Sequence, residues 1–191
     1  MFYLAQTDTT AGFLSKNQAE INRAKNRALR TPCILTMARF SELLRLVRVP
    51  KAHKNLVRKA RKTSFVYETS GFCVDLNGEN AAKIHKNPTQ KNVVKIHKNA
   101  AAKSGEKGAA CVNFKGSLAC RVVKECAHSE FLAKNGAFFS SSANLHGEKF
   151  DFQKARQITL ANGGKIIDER LFAGKPSALI RLFRVKKRKI R

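Results

Sequence analysis

Apolar and polar positions along this chain come in short blocks that switch between strand and helix periodicity. Phe2 to Ala5 is an apolar run stopped at once by Gln6-Thr7-Asp8, which predicts a first strand entering a Thr/Asp/Gly turn. Ser15 with Gln18 has the form of a capping box, so a helix is expected from Lys16, carrying Ala19, Ile21 and Ala24 and then Lys25 and Arg27 near its end. Pro32 closes that segment, and Cys33-Ile34-Leu35 predicts a buried strand. Leu43, Leu44 and Val47 recur at helical spacing within 41–47, a second helix is expected over 52–62, and a strand over 63–67.

After a long polar stretch the pattern resumes. Leu118 to Val123 predicts a strand, Ser129 to Asn135 a short helix, and Ala137 to Ser140 a strand. Asp151 is placed to cap a helix running to about Leu160, which Gly163-Gly164 ends. Lys165 to Asp168 and Ser177 to Phe183 predict two last strands. Strands and helices alternate, so the expected architecture is a single α/β domain on one twisted, mixed, open sheet, with chemistry at strand ends and adjoining loops.

Residues 77–110 differ in kind. They are rich in Lys, Asn, Ala and Gly and carry Lys-Ile-His-Lys-Asn twice, at 83–87 and 95–99. Such a segment buries too little apolar area to offset its ordering entropy, so it is expected to be a mobile insertion loop. His85 and His97 offer a metal pair there, although histidines in a Lys-rich loop ordinarily face solvent.

Charge changes the picture. With 38 Lys+Arg against 13 Asp+Glu the formal net charge is +25. Such an excess repels itself unless an anion is near, and nucleic acid is the leading partner class ahead of anionic membrane. Arg45 to Lys62 holds eight Lys/Arg and no acid, and Arg181 to Arg191 is similar. Phe183 apart, neither run has interleaved aromatics, so they read as phosphate contacts rather than base readers, or else as a solvated face and tail.

The 5 cysteines include no Cys-x-x-Cys, so a zinc site is not expected. Cys33, Cys73 and Cys120 sit in apolar runs and read as reduced core residues. No secretory apolar region and no membrane-length run is seen, so a cytoplasmic protein away from membranes is expected.

Three short motifs carry candidate chemistry. Lys25 and Arg27 form a cationic pair that converges on a triphosphate if the helix ends near Asn26; otherwise they are two surface cations. Ser141-Ser142-Ala143-Asn144 follows a buried strand, and its small hydroxyls and amide let a phosphate or ribose approach, or simply form a turn. Thr7-Asp8-Thr9-Thr10 offers hydroxyls to a small polar substrate, or equally ends a strand in an Asx or Ser/Thr turn.

In their order along the chain these motifs resemble the YrdC-like domain family. Thr7-Asp8-Thr9 matches its Pro-Thr-Asp/Glu-Thr-x-Tyr-Gly segment, Lys25-x-Arg27 its Lys-x-Arg-Pro, and Ser142-Ala143-Asn144 with Gly147 its Ser-Ala-Asn-x-Ser-Gly. Thr31-Pro32 and Thr36 take the place of Pro-Leu-x-x-His, Arg121 matches a strand arginine, and Pro176-Ser177 with Arg191 matches the close. Gln6, Ala11, Ala28 and Thr36 stand where the family has Pro, Tyr, Pro and His. The resemblance covers the chain as one YrdC-like domain, 77–110 excepted, with a concave basic face.

The resemblance implies an L-threonylcarbamoyladenylate synthase, a nucleotidyltransferase that joins L-threonine, bicarbonate and ATP and releases pyrophosphate. Its product would feed threonylcarbamoyladenosine formation in tRNA, beside other tRNA-modification proteins. It implies ATP with magnesium on Lys25, Arg27, Ser142, Asn144, Ser177 and Arg191, with Lys25 and Arg27 as the catalytic pair, threonine on Thr7, Thr36 and Arg121, and no metal held by the protein itself. The alternative is a non-catalytic relative of the YciO branch that binds tRNA or double-stranded RNA.

Overall fold

The computed structural model describes residues 1–74, 112–145, 147–168 and 170–191. The expected insertion loop over 77–110, its two histidines and His146 lie outside the described residues, as does the side chain of Cys73.

Nine strands form one mixed sheet: β1 (Phe2–Gln6), β2 (Ala11–Ser15), β3 (Ile34–Met37), β4 (Thr63–Val74), β5 (Val112–Val122), β6 (Phe138–Ser142), β7 (Lys165–Ile166), β8 (Ala178–Leu182) and β9 (Lys187–Lys189). Their order across the sheet is β7-β1-β2-β6-β3-β5-β4-β8-β9. The helices are α1 (Gln18–Ala24), α2 (Phe40–Leu46), α3 (Lys54–Lys59, preceded by a 3₁₀ turn over Lys51–His53), α4 (Ala127–Asn135) and α5 (Phe152–Ala161).

Strand alternation gives the sheet two chemically different faces. Phe139, Leu35, Cys120 and Phe65 stand beside one another on β6, β3, β5 and β4. All four are buried in the main core with Ile21 of α1, Leu43 of α2, Val57 of α3 and Ala155 of α5. Ser140, Thr36, Arg121 and Ser64 are each one residue along from these and project to the opposite face. There Leu132 of α4 packs in a smaller cluster with Ala5, Leu14, Val123 and Phe138, flanked by the half-buried Tyr3, Ala38, Cys126 and Phe131. Beside that cluster the face carries the buried polar side chains of Ser140, Thr36, Arg121 and Ser64 together with Val66, next to the Thr7–Thr10 turn and Ser177.

Two strands escaped the sequence pattern. β2 is buried at every position because Phe13 faces the main core and Leu14 the smaller one. It therefore reads as a continuous run rather than an alternation. β9 is exposed at every position and is held only by its antiparallel ladder to β8, so no apolar signal marks it. The C-terminal basic run, expected as a tail or phosphate footprint, thus contains an edge strand.

The expected capping box is also displaced. Ser15 is in ladders with both Phe2 and Phe139, so its backbone belongs to the sheet. Asn17 caps α1 instead, accepting from the Ala19 N–H at 2.9 Å, while the Ser15 hydroxyl bonds Glu20. The helix expected over 52–62 is the 3₁₀ turn plus six residues of α3, α4 begins two residues earlier than expected, and the strand at 165–168 is two residues long.

Candidate functional site

α1 ends at Ala24. Lys25 caps it, and Asn26 takes a left-handed φ of 50°, which turns the chain sharply. The turn lets Lys25 and Arg27, two apart, approach the same loop, which a continuing helix would forbid. The Lys25 ammonium, almost fully buried, donates to the Ser142 carbonyl at 2.5 Å, to the Asn144 carbonyl, and to Asn144 Oδ1 at 3.3 Å. Arg27 Nε donates to Asn22 Oδ1 at 2.7 Å, and its Nη2 lies 3.1 Å from Cys33 Sγ and 3.3 Å from Ser141 Oγ. The loop is closed behind them by Asn144 Nδ2 donating to the Glu148 carbonyl at 2.6 Å, and by the Ala143 N–H on the Ala11 carbonyl at 2.9 Å.

Burial, followed by repulsion from Arg27, pushes the Lys25 ammonium down to about 8, and the nearby Cys33 partly opposes this. Burial raises the Cys33 thiol despite the two cations beside it. The thiol is therefore protonated at neutral pH, and the net charge of this corner is positive.

On the other side of Gly12 lies a second polar group. A Cβ on Gly12 would come within 2.9 Å of Thr7 Cγ2 and 3.3 Å of the Ser141 carbonyl oxygen, so only glycine lets the two motifs lie this close. Thr7 Oγ1 donates to the Thr10 carbonyl at 2.6 Å and accepts from the Thr9 and Thr10 N–H groups, an ST turn as one of the sequence alternatives had it. That turn delivers Asp8 to Arg121, whose Nη2 lies 3.2 Å from Asp8 Oδ1 and whose Nη1 donates to Thr9 Oγ1 at 3.2 Å. His128, in the first turn of α4, brings Nδ1 to 3.9 Å from the same carboxylate.

Burial raises the Asp8 carboxyl, but His128 and Arg121 outweigh it and hold it below its ordinary 3.8. Burial, only partly opposed by Asp8, holds the His128 imidazole below 6.5, so it is neutral at pH 7. The cluster at neutral pH is thus an ion pair beside an uncharged imidazole.

The remaining expected residues fall nearby. Thr36 is next to Arg121 in the β3–β5 register, but its hydroxyl is fully buried and donates to the Phe138 carbonyl at 2.9 Å. Ser177 Oγ lies 3.1 Å from Ser64 Oγ, and Arg191 Nε donates to the Ser177 carbonyl at 3.2 Å. Arg191 is close enough to Arg121 for its charge to bear on that guanidinium. The described fold therefore gathers Lys25, Arg27, Ser142 and Asn144 in one corner, Thr7, Thr36 and Arg121 on the adjoining face, and Ser177 with Arg191 beyond them.

Sequence reasoning gave no role to Asn22, which braces Arg27, or to His128. Neither had a readable signal: Asn22 is one polar residue in a short helix, and His128 a lone histidine 120 residues away from the aspartate it meets. Asp8 lay inside a named motif, but its partner depends on strand pairing.

The two basic runs also meet. His53 Nε2 lies 3.2 Å from the Lys186 carbonyl, which pins the β8–β9 turn to the 3₁₀ turn before α3. Arg45, Arg48, Lys51, Lys54, Arg58, Lys59, Arg61 and Lys62 are all exposed, as are Lys186 to Lys189. Among the described residues, only Arg61 of this group has an acidic partner, Glu125 at 2.6 Å. No helix among the described residues is long and apolar enough to cross a membrane.

An open mixed α/β sheet with a polar face, a buried lysine–arginine corner and a Thr/Asp/Arg cluster defines the class. No protein-family model matches the chain, and no curated protein matches it in sequence. Solved structures do. Sua5 of P. abyssi complexed with L-threonine matches with a TM-score of 0.64 at 15% identity, over 100% of this chain and 49% of that one. E. coli YciO matches with a TM-score of 0.64 at 14% identity, over 100% and 82%. HypF in its phosphate- and nucleotide-bound form matches with 0.60 at 13%, over 100% and 26%. The chain has the YrdC-like fold, as its motif order implied, and it spans about half the length of the Sua5 chains it matches. At these identities the likeness is one of fold.

Proposed function

We propose that the chain is an L-threonylcarbamoyladenylate synthase. The observation that supports this most is the meeting of Lys25 and Arg27 with the Ser141–Asn144 loop, at the rim of a polar sheet face in a YrdC-like fold. The Sua5 neighbour complexed with L-threonine lends threonine as the amino acid.

In this reading bicarbonate condenses with the threonine amine to give a carbamate and water. A carbamate oxygen then attacks the α-phosphorus of ATP, a new P–O bond forms, and pyrophosphate leaves with the electrons of the broken P–O bond. No nucleophile from the protein is required; its work is to place the reactants and to stabilise charge. Lys25 and Arg27 would exchange their present oxygen partners for triphosphate oxygens. Ser142 and Asn144, with Ser177 and Arg191, would hold phosphate and ribose. Magnesium would arrive on the triphosphate. Thr7, Thr36 and Arg121 would line the amino-acid side, where the Thr36 hydroxyl and the Arg121 charge already have partners and so act by shaping the face. The joined basic runs suit the phosphates of tRNA, which would receive the product.

The deciding assay is pyrophosphate release from ATP and magnesium. The expected result is release that requires both threonine and bicarbonate; release indifferent to either, or none, rejects the synthase. The buried lysine adds a pH signature. Below about pH 8 Lys25 is charged before ATP arrives, whereas above it binding must first take up a proton. ATP affinity should therefore be flat from pH 6 to 7.5 and fall roughly tenfold between pH 7 and 9. Titrations of ATP into the protein across that range check this, and a flat profile would show that Lys25 does not meet the phosphates.

A further inference from the structure

Asn22 is an amide on the inner face of α1, with 0% of its surface exposed. A buried polar side chain needs a partner for each hydrogen-bonding atom, and this one has them. Its Nδ2 donates to the Leu29 carbonyl at 2.6 Å and to the Thr31 carbonyl at 2.9 Å, and its Oδ1 accepts the Arg27 Nε–H at 2.7 Å. The amide cannot be turned over, because Oδ1 would then face two carbonyl oxygens and Nδ2 the guanidinium. One side chain thus ties the segment after α1 at positions 27, 29 and 31. The Asn22 carbonyl adds a fourth bond, accepting the Arg27 N–H at 3.0 Å.

The segment has little else to hold it to α1. Asn26 takes a left-handed φ of 50°, and Ala28, Leu29 and Arg30 are exposed. Ala28 stands where the Lys-x-Arg-Pro motif has a proline, whose ring would fix φ. Thr31 donates to the Ala28 carbonyl through its N–H at 2.8 Å and its hydroxyl at 2.7 Å, which closes the turn on itself without anchoring it to the helix.

The consequence falls on Arg27, which is half-buried. Its guanidinium is a rigid fork of N–H donors. Nε is spent on Asn22. Nη2 meets Cys33 Sγ at 3.1 Å and Ser141 Oγ at 3.3 Å, a protonated thiol and a long hydroxyl contact. Both are weak acceptors beside a charged oxygen. Among the described residues Nη1 makes no hydrogen bond.

We infer that Asn22 is a positioning residue: it occupies the Nε edge of Arg27 and so presents only the Nη1–Nη2 edge to an oxyanion arriving at the Ser141–Asn144 loop. On the synthase reading, on which this rests, the triphosphate is met end-on by two parallel N–H donors, and the arginine rotamer is chosen before ATP binds.

The test is a double-mutant cycle on ATP affinity, read by calorimetric titration of the full chain with magnesium ATP. Thermal melts fix a temperature at which every variant is folded. Arg27→Ala should raise the Kd roughly 10- to 100-fold, the loss of hydrogen bonds to a charged ligand. Asn22→Ala should raise it roughly three- to tenfold, since ATP must then order a rotamer-rich side chain itself. With Arg27 already replaced, Asn22→Ala should change the Kd by less than about twofold. An asparagine that only supports the fold would weaken ATP equally in both backgrounds, and such additivity overturns the positioning role. NMR of the arginine Nε–H groups checks the pinning with neither ligand nor Asn22 variant. One Nε–H, identified by its loss in Arg27→Lys, should exchange with water more slowly than those of exposed arginines; exchange at their rate also overturns the role. ATP affinity indifferent to Arg27→Ala takes Arg27 away from the triphosphate and overturns both readings. An effect of Arg27→Ala with none of Asn22→Ala sinks the positioning alone. The expected cycle without any pyrophosphate release sinks the synthase and leaves Asn22 in its role.

Discussion

Lys25→Ala is expected to lower threonine-dependent pyrophosphate release by about 100- to 1,000-fold, the usual effect of removing one preorganised donor from a developing negative charge. The lysine ammonium sits between the Ser142 and Asn144 carbonyls, and no other cation among the described residues bonds to those oxygens. Arg27 cannot replace it, because its guanidinium is braced by Asn22 and directed at Cys33 and Ser141. Lys25→Ala should also erase the decline of ATP affinity above pH 8, since the titrating group is gone. Circular dichroism should stay near that of the unaltered protein, because α1 ends before Lys25, while the thermal midpoint should fall by several degrees, because the Ser142 and Asn144 carbonyls lose their buried donor, at a cost of about 1–3 kcal/mol. Near-full activity in a folded variant would remove Lys25 from the machinery.

Asp8→Ala is expected to be the most destabilising change on the polar face. It leaves Arg121, 3% exposed, without its counter-charge in a buried setting. Breaking such a pair costs about 3–5 kcal/mol. For a chain of 191 residues that corresponds to a fall of roughly 10 °C in Tm. The folded carboxyl lies below its ordinary 3.8, so its contribution is complete above about pH 4 and is lost as the pH falls through the folded value. The difference between Asp8→Ala and the unaltered chain should therefore shrink in acid. Adding Arg121→Met to Asp8→Ala should recover part of the loss, because an apolar side chain carries no stranded charge. Equal melting of Asp8→Ala and the unaltered chain at pH 7 would show that the pair is not formed in solution.

Much of the fold was legible along the chain. The apolar runs at Phe2–Ala5, Cys33–Leu35 and Leu118–Val123 fall on β1, β3 and β5, with Cys33 just before β3 and Val123 just after β5, because their residues line a core, and the alternating helices carry their apolar positions at helical spacing. Asp151 caps α5 as expected, accepting the Lys154 N–H at 2.9 Å. What was hidden had no local signal. β2 is apolar on both sides, β9 on neither, and Ser15 looked like a cap until the sheet claimed its backbone.

The site divides the same way. The order of Thr7-Asp8-Thr9, Lys25-x-Arg27 and Ser142-Ala143-Asn144 was readable because each is a short motif whose chemistry is carried by neighbouring residues. The left-handed Asn26 that aims Lys25 and Arg27 together, the closeness of Thr7 to Ser141 across Gly12, and the meeting of Asp8, Arg121 and His128 were not. Nor was the joining of the basic runs through His53 and Lys186. By itself the sequence determined which residues are apolar, which local segments become strand or helix, and which polar motifs are available. Only the tertiary structure decided which motifs face one another. Propensity and periodicity act over a few residues, while strand order, register and burial bring together side chains more than 100 positions apart and set their charge.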